Sequence, residues 1–154
     1  MAGLYFDELT IGQAFEHAIR HTVTEADNEL FFAMTNNTAA PHLDEDHCRA
    51  ETEFGPRIVN SAFTLCLMVG ISVGDTTLGT TIANLGCDEV RIPEPVFHGD
   101  TIHVRSTVSE MIETRSRKDA GIVIFVHEAI NQRNELVAIC KRSALMKKKS
   151  RGLF

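Results

Sequence analysis

The sequence predicts an α+β fold, an antiparallel β-sheet wrapped around one long helix. Three observations predict it. From Thr81 to Met146 the chain carries four runs rich in Val, Ile, Thr and Phe, the composition of strands. The segment after Asn60 (Ala62, Phe63, Leu65, Cys66, Leu67, Met68, Val69, Ile71, Val73) has too few charges for a surface helix. A helix apolar nearly all round is one buried on most sides. The order is strand, short helix, long buried helix, then four strands, which segregates helix from sheet instead of alternating them.

The elements follow in order. Residues 5 to 14 read as irregular, with a turn at Gly12. Phe15 to Val23 reads as a first strand. Thr24 is a good N-cap, with Glu25 and Asp27 in the first turn, where they favour the helix dipole. Leu30, Phe31, Met34 and Thr35 follow at helical spacing, and Asn36-Asn37 ends the helix, since asparagine tolerates such termini. Residues 38 to 48 read as loop or broken helix, with Pro41 as breaker. His47 to Phe54 suggests another helical turn, and Gly55-Pro56 a break. Asn60 or Ser61 then caps the apolar helix, in which Gly70 and Gly74 permit close backbone packing. The strands are Thr81–Val90, Thr101–Ile112, Gly121–Asn131 and Glu135–Met146, with residues 131–134 as a hairpin loop.

A length of 154 residues suits one domain over 1–154. The net charge of −6 argues against a nucleic-acid binder, which normally shows a basic face. The cluster Lys147-Lys148-Lys149-Ser150-Arg151 reads as a solvated tail. No run approaches the ~18 apolar residues of a membrane span. The first residues lack the regions of a signal peptide, so a cytoplasmic protein is expected. Cys48, Cys66, Cys87 and Cys140 form no C-x-x-C and are expected to be reduced, packed thiols.

Three short motifs fall on these elements in order. They are Asn37-Thr38-Ala39-Ala40-Pro41-His42-Leu43-Asp44, Phe54-Gly55-Pro56-Arg57-Ile58-Val59-Asn60-Ser61 and Pro95-Val96-Phe97-His98-Gly99-Asp100. Together they resemble the MaoC-like, (R)-specific enoyl-CoA hydratase family, whose fold is the hotdog. The resemblance covers most of the chain and implies a hydro-lyase acting on an acyl-CoA. CoA enters as part of the substrate, with no separate cofactor. Two positions depart from the family pattern. Asn37 stands where the family has a catalytic aspartate, five residues before the histidine, and Asn60-Ser61 stands where it has His-Gly. Both make the chain look closer to the itaconyl-CoA or mesaconyl-CoA hydratase-like subgroup.

Hydration of an enoyl thioester needs a polarised carbonyl, a base for water and a proton for Cα. The resemblance and the residue types together give the roles. His42 is the candidate base, since imidazole exchanges protons near neutral pH. The backbone around Ser61 and Ala62, at the N-terminus of the apolar helix, is the candidate oxyanion site. Asn60 and Ser61 serve it or cap the helix. Asn37 holds water or the imidazole by hydrogen bonds. Arg57 and Arg91 are candidate partners for a substrate carboxylate or CoA phosphates, or ordinary surface arginines. Asp44, Asp46 and His47 lie near His42, but carboxylates there more simply open a helical turn, so no metal is expected. His98, His103 and His127 show no ligand pattern.

Two other classes compete. A hotdog thioesterase commonly uses a carboxylate at the central helix, and residues 58–74 contain none. A non-catalytic acyl-CoA regulator would usually bring a DNA-binding segment, for which this length leaves no room. A lone sheet of this kind leaves an edge or face bare, so a homodimer or higher homo-oligomer is expected.

Overall fold

The computed structural model describes residues 3–149. Five antiparallel strands form one sheet: β1 (Ala14–Thr22), β2 (Thr81–Arg91), β3 (Thr101–Glu113), β4 (Ala120–Ile130) and β5 (Leu136–Lys147), in the order β1-β3-β4-β5-β2. Among the described residues four α-helices stand beside it, α1 (Glu25–Thr35), α2 (Ala40–Leu43), α3 (Glu45–Glu51) and α4 (Ser61–Thr76), and a single 3-10 turn covers Phe6–Glu8. The helix α4 lies against β1, β3, β4 and β5. No helix among the described residues is long and apolar enough to cross a membrane.

Local chemistry sets the helix ends. Thr24 Oγ1 accepts the N–H of Asp27 at 3.2 Å, and Asp27 Oδ2 accepts the N–H of Thr24 at 2.8 Å, a reciprocal cap. Asn36 closes α1 in the left-handed conformation, φ 54°. Pro41 does not break a helix. It sits in the first turn of α2, where its missing N–H costs nothing. Asp44 caps α3 by accepting the N–H of His47 at 2.9 Å, so α3 starts two residues before the expected His47.

The packed face of α4 is Thr64, Met68, Ile71, Ser72 and Thr76. Its outer strip of Ala62, Cys66 and Gly70 is exposed, contrary to the expectation of a helix buried on most sides. The sheet of one chain covers only one side of the helix. Cys66 is therefore not packed within the chain, while Cys48 and Cys140 are. Gly70 and Gly74 meet nothing within 4 Å of an added Cβ, so they serve no close approach inside this chain.

The core under α4 is two apolar clusters, one around Val23, Met68, Val104, Ala129 and Ala138, the other around Phe6, Val108, Phe125 and Ala144. Between them the same sheet face turns polar. Ser106 separates Val104 from Val108 on β3, His127 separates Ala129 from Phe125 on β4, and Arg142 separates Cys140 from Ala144 on β5. His17 of β1 joins this layer, hydrogen-bonded to Asp75 at 2.9 Å and to Ser106 at 2.8 Å.

The basic cluster is not free solvated chain where it is described. Lys147 ends β5, Lys148 pairs with Glu113, and Lys149 Nζ meets Glu8 at 2.7 Å. Ser150 and Arg151 lie outside the described residues.

Candidate active site

Three segments converge on the N-terminal end of α4. The first is α2, which carries His42. Its Nδ1–H donates to the Ile58 carbonyl at 2.9 Å, and the Phe32 ring lies against the imidazole at 5.3 Å between centroids. The second is the extended stretch before α4. The Ile58 N–H donates to the Pro41 carbonyl at 3.1 Å and the Val59 N–H to the Val96 carbonyl at 2.8 Å. The third is the Pro95–Asp100 turn, in which Gly99 takes φ 93°, a conformation that favours glycine.

That turn is held by a buried carboxylate. Asp100 Oδ2 accepts the Phe97 N–H at 2.9 Å, and Oδ1 accepts Gln132 Nε2 at 2.7 Å and Arg133 Nη1 at 2.8 Å. Burial raises the Asp100 pKa, but these hydrogen bonds and the Arg133 charge outweigh it and hold the carboxyl below its ordinary range. Asp100 thus keeps Val96, and with it one wall of the site, in register.

Between the segments lies a cavity of about 260 Å³. His42, Ser61 and Thr64 supply its polar groups, and Phe54, Ile58, Ile92, Pro93, Pro95 and Val96 its apolar walls. His42 and Ser61 meet here as the sequence suggested. Thr64, buried on the second turn, was not singled out, although its place one turn after Asn60 puts it on the same end of the helix.

Asn60 is buried and caps α4, its Oδ1 accepting the Ala62 N–H at 2.8 Å. The Ala62 N–H is therefore spent, which leaves only the Ser61 N–H of the expected pair without this partner. At the first helical position, the Ser61 N–H has no acceptor within the helix. Asn37 is half-buried, and its Oδ1 accepts the Ala39 N–H at 3.0 Å, shaping the approach to α2.

The two arginines are placed differently. Arg57 turns away into a carboxylate cluster, meeting Glu25 at 3.2 Å, Glu45 at 3.3 Å and Glu29 at 3.9 Å. Arg91 is exposed at the end of β2, next to Ile92 and Pro93 of the cavity wall. Burial and the Arg57 charge push the nearby His98 imidazole pKa down.

Sequence reasoning also missed Asn28. It is fully buried, and its side chain bonds both to the His42 carbonyl at 3.2 Å and to the Asn60 N–H at 3.1 Å. The only signal was a lone amide among larger residues on the inner face of α1.

Comparison with known proteins gives the family. A family profile described as MaoC like domain matches residues 7–128. The chain belongs to that family. It is 30% identical over 148 residues to a mesaconyl-CoA hydratase of Cereibacter sphaeroides, covering 96% of this chain and 42% of that protein. The chain spans less than half the length of several curated relatives that it matches. Among solved structures it resembles a monoamine oxidase regulatory protein from Archaeoglobus, with TM-score 0.86, 31% identity and 97% of each chain covered. A Mycobacterium tuberculosis protein described as a double hotdog fold superposes with TM-score 0.87 at 24% identity, covering 97% of this chain and 46% of that one. The fold is therefore the hotdog, the expected sheet around a central helix.

Proposed function

We propose that the chain adds water across the double bond of an α,β-unsaturated acyl-CoA, or removes it in reverse. The observation that carries this reading is the His42 imidazole and the N-terminal end of α4 on one small, mostly apolar cavity. With Nδ1–H committed to Ile58, the Nε2 lone pair of neutral His42 is the free basic site. His42 Nε2 takes a proton from water as the oxygen bonds to Cβ. The electron pair moves through Cα to the thioester oxygen, where the Ser61 N–H holds the enolate. One such donor is worth about 3 kcal/mol in a dry site. The enolate then collapses, and Cα takes the proton from the imidazolium. Atoms balance as one water added.

Within that class we favour a short branched dicarboxylic substrate, such as mesaconyl-CoA or itaconyl-CoA. The mesaconyl-CoA hydratase relative and Asn37 in place of an acid support this choice. With Arg57 held by three glutamates, Arg91 at the cavity rim is the better partner for the second carboxylate. The thioesterase alternative finds no Asp or Glu on the cavity wall.

We further read the chain as one hotdog domain that works as a cytoplasmic homodimer. The exposed strip of α4 and the exposed Leu85 and Val90 of edge strand β2 support a partner. A second copy would take the place that the second unit has in a double hotdog. Light scattering that showed only monomer at micromolar concentration would refute this assembly.

The deciding experiment is mass spectrometry of crotonyl-, mesaconyl-, itaconyl- and 3-methylglutaconyl-CoA incubated with the protein. A gain of one water on a carboxylated member supports the reading. Free CoA without hydrated product would replace it with a thioesterase, and binding without turnover with a regulator.

A further inference from the structure

Asn28 has both ends of its side-chain amide spent on the backbone of the site. Nδ2–H donates to the carbonyl of His42, which carries the imidazole, and Oδ1 accepts the N–H of Asn60, which precedes the free N–H of Ser61. These partners also fix which end of the amide is oxygen. Two other hydrogen bonds join the His42 segment to the stretch before α4, from His42 Nδ1 to Ile58 and from Ile58 to Pro41, and both stop short of Asn60. Among the hydrogen bonds of the described residues, only those of Asn28 reach His42 and Asn60 together.

We infer that Asn28 is a positioning residue that sets the separation between the His42 base and the Ser61 N–H. This rests on the hydratase reading above. An enoyl thioester is one rigid conjugated unit, so the distance from attacked carbon to thioester oxygen is fixed. Base and donor must match that distance together, and a displacement of about 1 Å costs on the order of 10²-fold in rate. Asn28 is walled off from the cavity, so its effect falls on kcat and not on KM.

The amide suits this task because it offers one donor and one acceptor on a single plane without charge. Aspartate has the same shape. Ionised, it accepts the Asn60 N–H but turns its other oxygen against the His42 carbonyl oxygen. Protonated, it donates to that carbonyl and restores both bonds. Burial raises the pKa of the introduced carboxyl, and Glu25, Asp27 and Glu29 on the same helix act in the same direction. Arg57, paired with Glu25 and Glu29, opposes them. The elements around it carry further titratable groups: His42 on α2, His21 on β1 (bonded to Asp27) with Glu16, His17 and Arg20 on the same strand, and His98 and Asp100 on the Pro95–Asp100 turn.

The test is steady-state hydration by wild type and Asn28→Asp from about pH 5.5 to about pH 9, using whichever acyl-CoA of the panel wild type hydrates. Rates are taken per folded molecule from parallel thermal melts. The expected kcat of the variant is about 10²-fold low at the alkaline end, with KM within about threefold. Its ratio to wild type should climb about tenfold or more toward acid pH, because protonation of the introduced carboxyl restores the bond to the His42 carbonyl. Asn28→Ser shortens the side chain so that one hydroxyl cannot span both partners, and it should lower kcat with no recovery in acid. It also covers the case in which the aspartate variant does not fold. A flat ratio, or an unchanged kcat in Asn28→Ser, overturns the inference while leaving the hydratase reading intact. A wild type that hydrates nothing overturns both.

Discussion

His42 Nδ1 and the Ile58 carbonyl oxygen lie 2.9 Å apart, and the carbonyl can only accept. The hydrogen is thus on Nδ1, and neutral His42 has its lone pair on Nε2. The same Ile58 closes back on Pro41 through its N–H, so the ring and its support are one short loop of bonds. His42→Ala should lower kcat about 10² to 10⁴-fold, with a far smaller change in KM. Retention of most of the hydration rate by this variant, read by product mass, would remove His42 from the mechanism.

Asn37 stands five residues before His42, where the resembled family has an acid. Its Oδ1 is held by the Ala39 N–H at 3.0 Å, so a carboxylate of the same shape can keep that bond. Asn37→Asp should raise crotonyl-CoA hydration and lower that of mesaconyl-CoA, because a second negative charge near the substrate carboxylate repels it. A change in neither rate would mean that this position does not select the acyl group.

The fold was legible because its signals are local. The β-branched runs, the cap at Thr24 and the apolar stretch after Asn60 each declare themselves within a few residues. His42 and Ser61 were legible because they sit in motifs at element ends. Asn28, Thr64 and the interior role of His127 were not. Asn28 and His127 act through partners far away in sequence, as when Asn28 meets Asn60, and no spacing rule records such a contact, while Thr64 bonds locally to Asn60 and matters only through the cavity it faces. Pro41 was misread because the same residue that ends one helix also starts the next. The solvent-facing strip of α4 was hidden for another reason. Composition reports how apolar a helix is, not which chain covers it.

That strip gives a test of the proposed dimer. Cys66 is exposed at its centre, between Ala62 and Gly70. A change at a surface position unconnected to anything is within about 0.5 kcal/mol of neutral. If a second copy covers the strip, Cys66→Glu buries an unpaired charge at the contact. The expected result is a folded protein, with unchanged circular dichroism, that dissociates to monomer at micromolar concentration in light scattering. A dimer as tight as wild type would place the interface elsewhere, with the exposed Leu85 and Val90 of β2 as the next surface to change.

The polar layer predicts the acid response of the fold. Asp75 accepts from His17 Nδ1, so in neutral His17 Nε2 is an acceptor. Ser106 then donates to His17, and His127 Nδ1–H donates to Ser106 at 2.6 Å. His127 Nε2 is left as a buried lone pair without a partner, and Arg142 Nη1 as a buried donor without one. Protonating His127 would put a cation where neither water nor carboxylate reaches it. Burial, then the charges of Arg142 and His17, push its pKa down to about 3. The unfolded histidine titrates near 6.5, so below about pH 6.5 the unfolded chain holds a proton that the folded chain does not. Stability must then fall with decreasing pH, by about 1.4 kcal/mol per unit for this one group, until the folded pKa is passed. Between about pH 6 and about pH 5 most carboxylates remain ionised, which isolates the histidine contribution. Urea unfolding at those two values should show the slope in wild type and a slope shallower by about that amount in His127→Gln. The glutamine can still donate to Ser106 but cannot titrate. The variant should also be less stable at neutral pH, because its amide fills the ring's space poorly. Equal slopes in the two proteins would mean that His127 takes up its proton in the folded state as well, and that the layer admits charge.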